Sequence, residues 1–107
     1  MQVEWSLQAQ KDLADTLRYI VDEFGLKKAV QVNAQVLDTT DSLSRFPLLG
    51  RKIFTDRETG VEYRSLSMKY SRVIYIIEGD ILKIILVWNN RRDLKQLRLI
   101  LTSNVIE

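Results

Sequence analysis

Arg72-Val73-Ile74-Tyr75-Ile76-Ile77-Glu78-Gly79-Asp80-Ile81-Leu82-Lys83-Ile84-Ile85-Leu86-Val87-Trp88 reads as two long apolar strands joined by a tight turn. β-Branched and aromatic residues dominate both arms and favour extended backbone. Gly79-Asp80 is a two-residue hairpin signal, with glycine where φ must be positive. Counting outward from that turn pairs Ile77 with Leu82, Ile74 with Ile85, and Arg72 with Val87. Side chains alternate along a strand, which predicts Arg72, Ile74, Val87, Asn89 and Arg91 on one face. Both faces of the hairpin are apolar at mid-strand. One face must therefore meet helices, and the other must meet the tail, a partner or a second copy.

Working outward, Val61 to Ser67 is a third long strand and Val3-Glu4-Trp5 a short one. Ser6 can cap a helix by accepting an orphan N–H of the first turn. Leu13, Leu17, Ile20, Val21 and Phe24 then form an apolar stripe, and Gly25 suits the helix end. A second helix from Leu26 or Lys27 to about Arg45 places Ala29, Val36, Leu37 and Leu43 on its core face. Pro47 forbids much continuation. Pro47 to Gly60 reads as a loop, and Lys83 marks a wetter position or a protected edge. Asp93 can cap a last helical turn carrying Leu94, Leu97 and Leu101, which would suit a partner's groove or a dimer contact if exposed. The expected architecture is one α+β domain over residues 1–107. A small, antiparallel-dominated open sheet packs on an N-terminal helical hairpin, in the order β-α-α-β-β-β with a short C-terminal helix or tail.

Composition narrows the chemistry. The 107 residues contain no cysteine and no histidine. Disulfides, thiolate nucleophiles, imidazole acid–base chemistry and the usual zinc ligand sets are therefore excluded. Asp56/Glu58 and Glu78/Asp80 read as solvated turns, and Ser65, Ser67 and Ser71 have no base nearby in sequence. Leu48-Leu49-Gly50-Arg51-Lys52 is no phosphate loop. No metal, cofactor, membrane span, signal peptide or small-molecule substrate is expected. The formal charge of +2 is unevenly spread: residues 1–44 hold four cations against seven anions, and residues 45–107 twelve against seven. Arginines and tyrosines at strand ends suit a polyanion or an acidic partner. Arg51, Lys52, Arg64, Lys69, Tyr70, Arg72, Asn89, Asn90, Arg91 and Arg92 are the candidate contacts.

Taken in order, the initial strand, the helical hairpin ending in Arg45-Phe46-Pro47-Leu48-Leu49-Gly50-Arg51, then Arg64-Ser65-Leu66, Tyr70-Ser71-Arg72-Val73-Ile74-Tyr75, Gly79-Asp80 and Asn90-Arg91-Arg92-Asp93 resemble the RelE/ParE toxin superfamily. The resemblance implies a cytoplasmic bacterial toxin of a type II toxin–antitoxin pair. A cognate antitoxin would neutralise it with an acidic or amphipathic segment, and Leu94, Leu97 and Leu101 would serve such a contact. RelE-like members cut mRNA on the ribosome, whereas ParE-like members poison DNA gyrase. The nuclease arginines fall on Arg72 and Arg91, the only catalytic candidates. The RelE lysines fall on Tyr63 and Ser65, with Arg64 and Lys69 as nearby substitutes. The YoeB-like His-Tyr pair falls on Asn89 and Asn90, and the late tyrosine of RelE near Leu97. Phosphate-holding positions are kept and acid–base positions are not. The expected function is a toxin that binds gyrase; alternatives are a ribosome-dependent endonuclease and a decayed module that only binds its antitoxin.

Overall fold

The computed structural model describes residues 1–102; residues 103–107, the end of the span expected for the domain, lie outside the described residues. Strand β1 (Gln2–Trp5) leads to Ser6, whose Oγ accepts the Ala9 N–H at 2.9 Å and so starts α1 (Leu7–Phe24) as expected. A single residue, Gly25, separates α1 from α2 (Leu26–Arg45). Its φ of +92° is the reason for glycine, since a side chain there would meet nothing within 4 Å. Ala9, Thr16 and Ile20 of α1 and Ala29, Val32, Val36, Thr40 and Leu43 of α2 are buried. Val21, Phe24 and Leu37 are not, with exposures of 39%, 55% and 54%. The buried stripe is narrower than the apolar pattern suggested, and Phe24 stands at the open tip of the hairpin.

The sheet runs β1-β5-β4-β3-β2. Here β2 is Arg51–Thr55, β3 Glu62–Ser67, β4 Ser71–Glu78 and β5 Ile81–Asn89. β1 lies parallel to β5, and the other pairs are antiparallel. Strand β2 falls in the stretch read as a loop. Its pairing with β3 shifts between Lys52 and Phe54, and Ile53 and Phe54 both pack on the same core. A bulge of this kind breaks the period of two that would have revealed the strand. Lys83 marks no edge, because β5 lies between β1 and β4; it pairs with Glu78 at 3.0 Å.

A second bulge corrects the register of the decisive hairpin. Ile77 faces Leu82 as expected, but Ile74 faces Leu86 and Arg72 faces Trp88, with the shift between Ile74 and Tyr75. Ile85 is the extra residue. The slip exchanges the faces of everything beyond it on β5. Val73, Tyr75, Leu82, Ile84 and Val87 pack against Ala9 and Leu43 of the helices. Ile74, Ile76, Leu86 and Trp88 form the opposite core.

That opposite core is covered by the tail. Asp93 Oδ1 accepts the Lys95 N–H at 2.9 Å and starts α3 (Leu94–Thr102), the short C-terminal helix expected. Leu97 and Leu101, expected to face a partner, are 3% and 2% exposed because they seal the chain's own sheet; Leu94 alone of the three stays exposed. Among the described residues no helix is long and apolar enough to cross a membrane.

Candidate functional site

The β5 bulge builds the site, and two distant side chains hold it. Ser6 donates its hydroxyl to the Ile85 carbonyl at 2.7 Å, and the Val87 N–H donates to Asp12 Oδ2 at 3.1 Å. Backbone groups that the bulge takes out of the ladder are thus satisfied. Burial raises the Asp12 carboxyl above its usual range, against the lowering effect of the Gln8 and Val87 hydrogen bonds and of Arg92. A raised carboxyl binds its proton more tightly when folded. Stability therefore falls as pH rises from the unfolded-state value through the folded one. Asp12→Asn keeps an acceptor for Val87 and cannot titrate. Urea unfolding at several pH values is expected to show the variant gaining on the parent as pH rises, whereas parallel profiles would contradict this.

With the bulge in place, the strand-end residues divide between two clefts. The first, about 300 Å³, lies at the tip of the helical hairpin and is lined by Tyr19, Phe24, Lys69, Tyr70, Asn89, Asn90 and Arg91. The Arg91 guanidinium lies 4.7 Å over the Tyr19 ring. Asn89 Oδ1 accepts the Arg91 N–H at 2.9 Å, which fixes the chain as it leaves β5. The second cleft, about 170 Å³, lies between β2, β4 and α3. Arg51, Arg72 and Arg98 surround an apolar floor of Ile53, Phe54, Leu97 and Leu101. Arg72 Nε also reaches Asn90 Oδ1 at 3.4 Å, a side-chain link between the two sides.

The remaining candidates are committed within the chain. Arg64 shares the face of Tyr75, opposite that of Arg72, and donates to the Gly50 carbonyl at 2.7 Å. Lys52 pairs with Glu62 at 3.1 Å. Arg92 stacks 3.9 Å over Trp88, whose ring is buried. Burial also raises the Tyr63 and Tyr75 phenols above their usual range, so neither is a base near neutral pH. Tyr19, Phe24, Lys28 and Arg98 were missed. The first three stand on the helical hairpin, and their only signal is aromatic and cationic residues flanking Gly25.

Residues 3–94 match the family described as the ParE toxin of the type II toxin–antitoxin system parDE. The chain belongs to the ParE toxin family. A solved structure of the chromosomal ParDE TA system from P. aeruginosa is similar, with a TM-score of 0.65 and 18% identity, over 83% of this chain and 95% of that chain. At that identity the likeness concerns the fold. No curated protein matches the sequence at a significant level. The ParE family match ends at Leu94, the first residue of α3, so Arg98 and the leucines that close the second cleft lie beyond it.

Proposed function

We propose that this ParE-family chain is the toxin of a type II toxin–antitoxin pair, acting in the cytoplasm by binding DNA gyrase and not by cutting RNA. The observation that carries this reading is the separation of Arg72 from Arg91. Arg72 opens into the cleft beside α3, while Arg91 lies against Tyr19 on the hairpin side. The two arginines that a nuclease would converge on one phosphate line different clefts. Acid–base chemistry is also poorly supplied. The sequence has no histidine, and the resemblance to ribosome-dependent nucleases would put Asn89 and Asn90 where their proton-transferring pair stands. A positioned acid or base typically contributes on the order of 100-fold or more to rate, and an amide cannot replace it near neutral pH.

The cognate antitoxin is the second partner. The cleft of Arg51, Arg72 and Arg98 over an apolar floor suits an amphipathic acidic segment, because none of the three arginines forms an ion pair among the described residues. The discriminating experiment incubates the purified chain with gyrase and relaxed plasmid, and in parallel with translating ribosomes carrying a defined mRNA. Supercoiling is expected to fail while the mRNA stays intact. Cleaved mRNA with normal supercoiling would assign the chain to the ribosome-dependent nucleases. Neither effect, together with normal growth on induction, would make it a module that only binds its antitoxin.

A further inference from the structure

We propose that the cleft at the tip of the helical hairpin binds unpaired nucleic acid, with a base stacked on the exposed Phe24 ring and the flanking phosphates held by the neighbouring cations. Three rings from two parts of the chain meet there. The Tyr19 and Phe24 centroids are 6.5 Å apart, nearly edge-to-face at 80°, and Phe24 and Tyr70 are 6.0 Å apart at 40°. Phe24 is 55% exposed, so this ring is not spent on the core. Each cation stands on a ring: Arg91 over Tyr19 at 4.7 Å, and Lys28 and Lys69 over Tyr70 at 5.7 and 5.5 Å.

A cation held by a ring is positioned without being neutralised. None of these three forms an ion pair among the described residues, and no carboxylate lines the cleft. Aromatic faces beside unneutralised cations are what sequence-tolerant single-strand binding requires. A purely acidic peptide, without apolar side chains, would use the charges and leave the rings idle. A duplex keeps its base faces stacked inside and so offers no face to the rings. Unpaired nucleic acid uses both features. Three local features bring the site together: Gly25 ends α1 beside Phe24, the β3–β4 turn supplies Lys69 and Tyr70, and the turn that follows β5 supplies Arg91. A naked oligonucleotide probe makes the outcome independent of the gyrase target proposed above.

The test is fluorescence anisotropy of a labelled oligothymidylate of about eight nucleotides, within the usual single-strand site size, titrated with the purified full chain at several salt concentrations. Saturable binding is expected. Phe24→Ala is expected to weaken it by about tenfold, the usual consequence of losing one base stack. Lys28→Ala and Lys69→Ala should each lower the slope of log affinity against log salt by about 0.7. Phe24 and Lys69 are exposed, so an unchanged melting curve for these variants separates binding from folding. Arg57→Ala, which removes a charge from the distant loop between β2 and β3, should leave binding unchanged. The proposal is overturned if no binding occurs at low salt, or if Phe24→Ala binds like the parent. Equal loss from Arg57→Ala, or equally effective competition by a blunt duplex or by polyglutamate, would reduce the site to unspecific charge and also overturn it.

Discussion

Gly50→Ala is expected to lower the melting temperature by roughly 10–20 °C, corresponding to about 3 kcal/mol for a chain of this size. Gly50 does not need a positive φ; it needs room. A Cβ there would lie 2.7 Å from both Cε1 and Oη of Tyr75 and 2.9 Å from the Ser65 carbonyl oxygen. None of these can move cheaply. Tyr75 is fully buried, its hydroxyl donates to the Pro47 carbonyl at 2.7 Å, and the Gly50 N–H donates to the same hydroxyl at 2.9 Å. The Gly50 carbonyl in turn accepts from Arg64. Tyr75→Phe removes the hydroxyl, leaves the two backbone groups without it, and should cost about 1–3 kcal/mol. Because that change also frees space, the double variant should be less destabilised than the sum of the two. Calorimetry decides the matter: a Gly50→Ala melting point within about 3 °C of the parent would mean that the turn absorbs the methyl group.

Trp88→Ala should cost about 3–5 kcal/mol, a large part of the roughly 5–15 kcal/mol that holds a typical domain. Trp88 is 1% exposed and belongs to the core formed by Ile74, Leu86, Leu97 and Leu101, with the Arg92 guanidinium 3.9 Å from its ring. Its Nε1 has no hydrogen-bond partner among the described residues, so the loss is one of packing and ring contact. Trp88→Phe, which keeps an aromatic face, should therefore cost less than Trp88→Ala. The damage should also be directional. Hydrogen exchange is expected to accelerate in α3, which loses the surface it rests on, before it does in α1 on the other face. Urea unfolding gives the magnitude and exchange gives the location. Equal acceleration in both helices would show that α3 does not depend on this ring.

Part of the candidate site was legible because strand ends are local features. Lys69, Tyr70, Asn89, Asn90 and Arg91 were drawn from turns flanking apolar runs, and the fold brings all five to one cleft. Simple alternation puts Arg72 with Arg91, yet it lies in the other cleft. The spacing of Phe24 fits a core stripe, yet its ring is exposed. Periodicity reports which side of a helix a residue is on, and cannot report that the sheet stops before the helix does. Leu97 and Leu101 have the spacing of a docking surface, and the surface they dock on is their own sheet.

The sequence by itself determined the order of helices and long strands, the Ser6 cap, the one-residue link at Gly25 and the Gly79-Asp80 turn. Each depends on residues within a few positions of one another, through capping, positive φ and hydrophobic period. Only the tertiary structure decided β2, the seating of α3 and the faces of the arginines. The bulge at Ile85 places Trp88 beside Arg72 and carries Asn89 to the helical side. It is held by a hydroxyl and a carboxylate lying 79 and 75 residues away in the chain. A period of two has no memory of such partners, and one residue of slip reverses every side chain beyond it.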